Sequence, residues 1–279
     1  MKNIKKEHLP TKICLTCERP FSWRRKWEKD WEAVKYVVRD VRKQKIKNMN
    51  NILIVGAGKG IGLEAAKLLA SENLYTISRN STSELDDLNT RFFELDVAKD
   101  DLNEISLPDE LHGLVFCPGS INLRPFNRLT EEDFLVDFNQ NFMGAVKIIQ
   151  KCLPALKKSK AASIVLFSTV AAKVGMPFHT SIAASKGAIE GFAKSLAAEL
   201  AAANIRVNVI APSLSDTSLA AQLLSTDEKR AASAKRHPLQ RIGTPQDSAQ
   251  LVAFLLSEKS SWMTGQIIGL DGGLGNIKL

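Results

Sequence analysis

The sequence predicts an α/β protein with a doubly wound parallel sheet, helices on both faces of that sheet, and a small N-terminal helical appendage. From residue 51 onward, strand-like runs alternate with helical stretches, and most runs are apolar on both faces, as buried parallel strands are. The first run ends in a glycine-rich turn that opens a helix. The predicted strands are 51–55, 74–78, 91–95, 113–117, 163–168, 205–210 and 266–270, and the predicted helices are 61–70, 131–157, 183–203 and 245–257.

Composition narrows the classes of protein that fit. The 279 residues are 44% hydrophobic, which suits a globular protein with a sizeable core. Apolar runs are far shorter than a membrane helix needs, and no apolar stretch of a secretory signal follows the basic N-terminus. Four cysteines do not make a disulfide framework. We therefore expect a cytoplasmic, reduced protein with no membrane partner.

Charge divides the chain into two parts. Residues 1–50 hold 15 Lys/Arg and 6 Asp/Glu, whereas the rest of the chain holds 23 and 24. The net charge of +8 therefore belongs to the N-terminal part and says little about the main domain. We place the boundary between a basic appendage, residues 1–48, and the main domain, residues 49–279.

The appendage carries two patterns. In "CLTC", Cys14 and Cys17 have the spacing of metal ligands. A stripe of tryptophans and valines then recurs every three or four residues, which predicts a basic amphipathic helix with Ser22 as its N-cap. The members of the stripe are Trp23, Trp27, Trp31, Val34, Val38 and Val41.

Residues 4–42 resemble a small bacterial zinc-ribbon-like family of unknown function. That family has a second cysteine pair where this chain has Val37 and Val41. Two thiolates are too few for a closed tetrahedral zinc site, so we expect no metal, although His8 or a second chain could complete one. The stripe would then pack on the main domain or on a partner. Weak nucleic-acid binding is compatible with the charge, but no reading motif accompanies it, so we do not expect it.

The turn "IVGAGKGIG" after the first strand predicts a dinucleotide site. Glycines at 56, 60 and 62 allow a tight turn and close approach to a pyrophosphate, and the helix N-terminus behind them favours negative charge. Such turns also occur for packing alone, but this one lies between a strand and a helix. We expect Gly56, Gly60, Ile61 and Gly62 to contact the cofactor.

Two basic residues indicate which dinucleotide binds. Lys59 lies inside the glycine turn, and Arg79 follows the second strand, where an acidic residue would bind the ribose 2′-hydroxyl of NAD. Cations there would pair with a 2′-phosphate instead, which predicts NADP. The alternative is that both are solvated surface charges.

Several motifs together resemble the short-chain dehydrogenase/reductase family. They are the glycine spacing, "NFMG" at 141–144, "ASKGAIEGFAKSLAAELA", "VNVIAPS", and a C-terminal stretch from "RIGTPQDSAQ" to "LDGG" that is similar to the acyl-carrier-protein reductase branch. The resemblance covers residues 51 to about 275 and implies a Rossmann-type fold and NAD(P)-linked oxidoreduction. It adds cofactor contacts at Asp96, Val97, Gly119, Lys186 and Pro212.

The resemblance implies a Ser-Tyr-Lys-Asn active site, which this chain matches only in part. Lys186 and Asn141 are present, and the serine position falls on Thr169, with Ser168 beside it. The tyrosine position is Ile182, which cannot donate a proton.

A nearby residue could replace the missing acid, and a second departure lies close by. His179, three residues upstream of the tyrosine position, has a suitable pKa range, although it could simply be a hydrogen-bonded loop residue. Cys117-Pro118-Gly119 stands where the family usually has Asn-Ala-Gly. Both departures concern the nicotinamide end, so the sequence supports cofactor binding better than turnover.

The segment 213–236 occupies the position of a substrate lid in the family. An apolar pocket or plain helix packing would each account for Leu214, Leu219, Leu223, Leu224, Phe126, Met176 and Phe178. The basic residues Lys229, Arg230, Lys235 and Arg236 could receive an anionic carrier, or form a solvated face.

Three functions are compatible with these residues. The first is an NADP-dependent oxidoreductase that acts on a carbonyl or hydroxyl group, such as that of a 3-oxoacyl thioester. The second is an NADP(H)-binding protein without turnover, and the third is an interaction protein led by the basic appendage. By resemblance, we expect a homodimer or homotetramer that associates through helices 131–157 and 183–203.

Overall fold

The structure, a computed structural model, describes residues 9–14, 20–35 and 49–278. The chain divides into two compact units, residues 1–49 and 50–279, which are described separately. In the described part of the chain, no helix is long and apolar enough to cross a membrane.

The first unit holds a short hairpin and an aromatic cluster. Strands β1 (Thr11–Ile13) and β2 (Pro20–Ser22) pair antiparallel, and two 3₁₀ turns follow at Arg25–Trp27 and Trp31–Ala33. Buried Cys14, Phe21 and Trp31 form the core of this unit. Against them pack Trp23, Trp27 and Val34.

The predicted amphipathic helix is wrong over its described residues. Ser22 ends β2 instead of capping a helix, and two separate 3₁₀ turns replace the first helical turns. Short turns return a side chain to the same side every three residues, so the tryptophan spacing suits them as well as a helix. The edge-on contacts of Phe21 with Trp27 and Trp31, at 5.6 and 5.8 Å, show the stripe folded around a small core. His8, Cys17, Val38 and Val41 lie outside the described residues.

The second unit is a seven-stranded parallel sheet. In sequence order its strands are β3 (Asn51–Val55), β4 (Asn73–Ser78), β5 (Thr90–Glu94), β6 (Gly113–Phe116), β7 (Ala162–Phe167), β8 (Ile205–Pro212) and β9 (Ile267–Leu270). Their spatial order is β5-β4-β3-β6-β7-β8-β9. The order reverses direction between β3 and β6, the place where ligands bind in such sheets. The predicted fold class is confirmed.

Helices cover both faces of this sheet. They are α1 (Gly60–Leu68), α2 (Ser83–Asp86), α3 (Glu131–Phe138), α4 (Gly144–Lys158), α5 (Val170–Lys173), α6 (Thr180–Leu200), α7 (Asp227–Lys235) and α8 (Pro245–Leu256). One apolar core contains residues of α4 and α6, and the other contains residues of α1 and α8. Thr130 and Thr244 begin α3 and α8 with capping boxes.

A π-helical turn interrupts the long helix predicted over 131–157. It spans Asn139–Met143, between α3 and α4. Such insertions are frequent at functional sites. Here the turn carries Asn141, whose side chain is fully buried.

Candidate active site

The turn between β3 and α1 leaves space that only glycine permits. Gly60 has a φ of 58°, and a Cβ on Gly62 would lie 2.2 Å from the carbonyl oxygen of Gly56. The turn forms one wall of a first cavity of about 380 Å³. The predicted cofactor residues that line this cavity are Gly56, Lys59, Gly60, Ile61, Gly62, Arg79, Asp96, Val97 and Gly119.

Two cations lie at the edge of the first cavity. Lys59 and Arg79 are exposed, and neither forms an ion pair with any residue that the structure describes. Ser78, Asn80 and Thr82 line the same region. The pair is therefore available to an anionic group of a ligand in this cavity.

A second cavity of about 750 Å³ adjoins the first. The two share wall residues, namely Ile61, Cys117, Gly119, Thr217 and Leu219. Pro212, the other predicted cofactor residue, lines the second cavity at the end of β8. A molecule with two unlike ends can therefore occupy the first cavity and reach into the second.

Lys186 on α6 is a buried cation in the wall of the second cavity. Its Nζ donates a hydrogen bond to the carbonyl oxygen of Phe167 at 2.9 Å, and 6% of the residue is exposed. Burial lowers the pKa of Lys186 from 10.5 to about 8, an effect that Cys117 and Asp137 oppose. The amine therefore changes charge close to neutral pH.

Cys117 lies beside Lys186 in the walls of both cavities. Burial raises the pKa of the Cys117 thiol to about 12, although Lys186 acts in the opposite direction. The thiol is therefore neutral and not a nucleophile at neutral pH. Cys152, by contrast, is fully buried and lines neither cavity.

The two hydroxyl candidates on the β7–α5 connection differ in orientation. Ser168 is buried and donates to Glu190 Oε1 at 2.6 Å, so its proton is directed toward α6. Thr169 caps α5, its Oγ1 accepting from the backbone N–H of Ala171 at 3.3 Å, and its hydroxyl proton stays available. Both residues line the second cavity, and the free proton favours Thr169 as a donor to a ligand.

Asn141 belongs to a buried polar network that the sequence did not reveal. Its Nδ2 donates to Ser120 Oγ at 2.9 Å and to the carbonyl oxygen of Asp137 at 2.7 Å. The carboxylate of Asp137 accepts from Ser120 at 2.5 Å and from Ser181 at 2.6 Å. Asp137 precedes Asn141 by one helical turn, and this spacing was the available signal.

Two residues are relevant to the catalytic tyrosine that this chain lacks: Ile182 stands at its position, and His179 is the candidate replacement. Ile182 is 6% exposed and lines the second cavity on α6, as Lys186 does. His179 also lines the second cavity, and its Nδ1 donates to the carbonyl oxygen of Pro177 at 2.7 Å. That bond leaves Nε2 as the free ring nitrogen.

A second polar pair in this cavity also escaped sequence reasoning. His237 is 2% exposed, and its Nδ1 donates to the carbonyl oxygen of Ser233 at 2.8 Å. The other nitrogen, Nε2, lies 2.8 Å from Ser213 Oγ and accepts its proton. The partners are 24 residues apart in the sequence, so no local sequence motif indicates that they pair.

The apolar lining only partly matches its prediction. Leu214, Leu219, Leu223 and Met176 line the second cavity, with Lys229 and Arg236 among the polar residues of its wall. The pocket interpretation is wrong for three other residues. Leu224 is buried in packing, and Phe126 and Phe178 are 70% and 54% exposed. Arg230 instead forms an ion pair with Asp216 at 2.7 Å.

Comparison with known proteins identifies the family. The model described as enoyl-(acyl carrier protein) reductase matches residues 56–275. The 3-oxoacyl-[acyl-carrier-protein] reductase of Thermotoga maritima is 34% identical over 238 residues, which is 80% of this chain and 96% of that protein. The chain belongs to the short-chain dehydrogenase/reductase family. It is thus an oxidoreductase of the kind that acts on CH–OH and C=O groups.

Other members agree with this assignment. A tropinone reductase homolog of Arabidopsis thaliana is 33% identical over 245 residues, 80% of this chain and 92% of its own. The solved aldohexose dehydrogenase of Thermoplasma acidophilum has a TM-score of 0.73 and 25% identity, covering 83% of this chain and 97% of its own. ElxO, solved with NADP bound, has a TM-score of 0.73 and 25% identity over 81% of this chain and 98% of its own.

The N-terminal unit has a separate match. A model described as an uncharacterized protein conserved in bacteria matches residues 5–43. This agrees with the resemblance that residues 4–42 show.

Proposed function

We propose that the chain is an NADP(H)-dependent reductase that holds a carbonyl substrate in the second cavity. The observation that carries this proposal is the buried Lys186 amine in the second cavity, which shares Cys117 and Gly119 with the first. Bound NADPH would supply a hydride to the carbonyl carbon. What the protein must add is binding, orientation and a proton.

The first cavity suits the phosphate end of NADP(H). The glycine turn offers backbone N–H groups and an α1 N-terminus to a pyrophosphate. Lys59 and Arg79, unpaired within the described residues, would take the 2′-phosphate. Asp96 and Val97 line the opposite part of the wall, where an adenine would lie.

Lys186 would act at the nicotinamide end. Its Nζ donates one hydrogen bond to the Phe167 carbonyl oxygen, so its other N–H groups can donate to ribose hydroxyls or to a substrate oxygen. With its pKa near 8, the amine is still largely an ammonium at pH 7 and stabilises developing negative charge on that oxygen. Thr169 would donate a hydrogen bond to the same oxygen, and His179, which also lines the cavity, is one candidate for the proton source.

The second cavity suits an elongated apolar substrate. Leu214, Leu219, Leu223 and Met176 would bury its chain, and the cations Lys229 and Arg236 also line the cavity. A 3-oxoacyl thioester has this form, with a reactive ketone and an apolar chain. Several curated relatives are 3-oxoacyl-[acyl-carrier-protein] reductases, which supports this substrate class.

Oligomer formation through the long helices stays a prediction. Leu135, Val136 and Phe138 on α3 are exposed apolar residues, which supports an interface on this helix. Light scattering after gel filtration would test it.

NADPH oxidation by the full chain tests the proposed function. Acetoacetyl-N-acetylcysteamine, 2,3-hexanedione and 9,10-phenanthrenequinone serve as substrates, and calorimetry measures NADPH binding in parallel. We expect Lys186→Ala to lower turnover by about 10² or more. Lys194→Ala, an exposed lysine on the same helix, should leave it unchanged.

Ile182 favours a second candidate, a protein that binds NADP(H) without turnover. Its buried apolar side chain stands where the family resemblance implies the acid. Tight NADPH binding with no oxidation of NADPH by any of the three carbonyls would decide for this candidate. Equal turnover in Lys186→Ala and wild type would contradict the reductase proposal as stated.

A further inference from the structure

Asp137 is a buried carboxyl group that the proposed reaction does not yet use. Within the described residues, Asp137 and Asp271 are the two buried acidic side chains, at 2% and 6% exposure. Asp271 has a structural explanation, since it accepts the backbone N–H groups of Gly273 and Gly275 at 2.9 Å each. Asp137 instead faces two side-chain hydroxyls and no salt-bridge partner.

The hydroxyl of Ser120 connects Asp137 to the second cavity. Ser120 lines the second cavity together with Ile182 and Lys186. Its Oγ accepts from Asn141 Nδ2 at 2.9 Å and is hydrogen-bonded to Asp137 Oδ1 at 2.5 Å. Ser181 holds the second carboxylate oxygen from the other side at 2.6 Å.

We propose that Ser120 is the hydroxyl that binds and protonates the substrate oxygen, and that Asp137 positions it and replaces its proton. This assignment rests on the proposed reductase function. The protonation state of Asp137 sets the direction of the Ser120 bond. When Asp137 is ionised, Ser120 donates to it and offers the cavity a lone pair. When Asp137 carries a proton, it donates to Ser120, whose own proton turns to the substrate.

The proton balance of reduction follows from this switch. As the carbonyl carbon gains a hydride from reduced nicotinamide, the C=O π electrons move onto oxygen. That oxygen takes the proton of Ser120, and Ser120 takes the proton of Asp137 Oδ1. Asp137 Oδ1 is left as a carboxylate oxygen, and one proton taken up through Ser120, which lines the cavity, restores the pair for the next turnover. Oxidation of an alcohol runs through the same steps in reverse.

The unpartnered oxygen of Asn141 lies on the same side. Asn141 Oδ1 is buried and has no hydrogen-bond partner among the residues that the structure describes. It lies 3.5 Å, and Lys186 Nζ 3.8 Å, from the point that a Cβ of Gly119 would occupy. The polar network and the buried ammonium therefore converge on the space above Gly119.

Kinetics of NADPH oxidation with the three carbonyls give the first test. Ser120→Ala and Asp137→Asn should each lower kcat about 10²-fold, while the NADPH Kd stays within about twofold. Ser185→Ala is the control, since Ser185 is a buried serine that donates to the carbonyl oxygen of Ile182 and lines neither cavity. If Asp137→Asn fails to fold, Ser120→Ala alone decides. Unchanged kcat in Ser120→Ala would overturn the assignment.

Binding to the complex with NADP⁺ separates this inference from the proposed function, because no turnover is needed. Calorimetry with acetoacetyl-N-acetylcysteamine should show about tenfold weaker binding in Ser120→Ala and no change in Ser185→Ala. If Ser120→Ala binds the thioester more weakly and wild type shows no turnover, Ser120 is the substrate contact and the reductase proposal is rejected. Full turnover and full binding in Ser120→Ala reject Ser120 and keep the reductase. No binding of this ligand to wild type, together with no oxidation of NADPH by any of the three carbonyls, rejects both.

Discussion

The Nζ of Lys186 lies 2.9 Å from the carbonyl oxygen of Phe167 in a wall with almost no solvent exposure. The loop after β7 and the helix α6 thus hold a cation where burial is unfavourable to charge. In the resemblance that the sequence shows, a tyrosine would lie beside this amine. Here Ile182 occupies that place, and the nearest buried carboxyl group, Asp137, belongs to the Ser120 network.

Replacement of Lys186 by methionine should stabilise the protein in a pH-dependent way. Because burial lowers the pKa of Lys186 from 10.5 to about 8, the unfolded chain binds a proton between these pH values that the folded chain has lost. As pH rises through this window, the free energy of unfolding of wild type therefore increases relative to that of Lys186→Met. The total gain is at most about 3 kcal/mol.

Urea unfolding at pH 7, 8.5 and 10 measures this difference. The advantage of Lys186→Met should be largest at pH 7 and shrink toward pH 10. Lys194→Met, on the exposed side of α6, should show a difference that does not vary with pH. A pH-independent difference for Lys186→Met as well would mean that the folded-state pKa is not lowered.

Arg79→Ala should weaken NADPH binding and leave NADH binding nearly unchanged. The guanidinium lines the first cavity and has no ion-pair partner within the described residues, so the 2′-phosphate would be its counterion. A charge-assisted pair of this kind contributes about 1.5–3 kcal/mol, which corresponds to roughly 10- to 100-fold in Kd. Calorimetry with both cofactors measures it. Arg91→Ala, an exposed arginine on β5 outside the cavity, is the control, and equal losses for NADPH and NADH would contradict the prediction.

In the hydrogen-bonded pair Ser213–His237, whose histidine is buried, a second substitution should rescue the stability lost by the first. Ser213→Ala removes the proton that Nε2 of His237 accepts at 2.8 Å, and a buried acceptor without a partner costs about 1–3 kcal/mol. Adding His237→Leu removes that acceptor. The Ser233 carbonyl keeps a partner, the backbone N–H of Arg236, at 3.3 Å. Urea unfolding should therefore show Ser213→Ala less stable than the double variant, and additive losses would contradict this.

The fold followed from the sequence because its signals are local. Buried parallel strands are continuous apolar runs, so the predicted 205–210 and 51–55 agree closely with Ile205–Pro212 and Asn51–Val55. The tryptophan stripe misled because a spacing of three to four residues suits both a helix and successive 3₁₀ turns. Because periodicity fits both structures, only element length and capping residues could have distinguished a helix from successive 3₁₀ turns.

The site was harder to predict than the fold. The glycine turn, Lys186 and Asn141 belong to contiguous motifs, and the structure places all of them at the two adjoining cavities or against their walls. The pairs Ser120–Asp137 and Ser213–His237 join residues 17 and 24 positions apart. Whether such side chains meet depends on tertiary packing. The spacing of Asp137 and Asn141, one helical turn apart, is the trace that this packing leaves in the sequence.

Restoring a tyrosine at position 182 tests what the isoleucine changed. Ile182 lines the second cavity on the same helix as Lys186, one turn earlier, so the phenol of Ile182→Tyr would reach the cavity beside the amine. The ammonium would lower the phenol's pKa and make it an effective acid, which is worth about 10²–10⁴ in rate. NADPH oxidation with acetoacetyl-N-acetylcysteamine should rise accordingly.

Ile182→Phe is the matched control, since it has the ring and nearly the volume of tyrosine but no hydroxyl. The larger ring should cost either variant about 1–3 kcal/mol of stability, because Ile182 is 6% exposed. Only the tyrosine variant should gain turnover. In the double variant Ile182→Tyr/Asp137→Asn, turnover should stay high if the phenol takes over the proton transfer from Ser120 and Asp137. A collapse of turnover there would show that Asp137 supports the site by packing and not by supplying a proton.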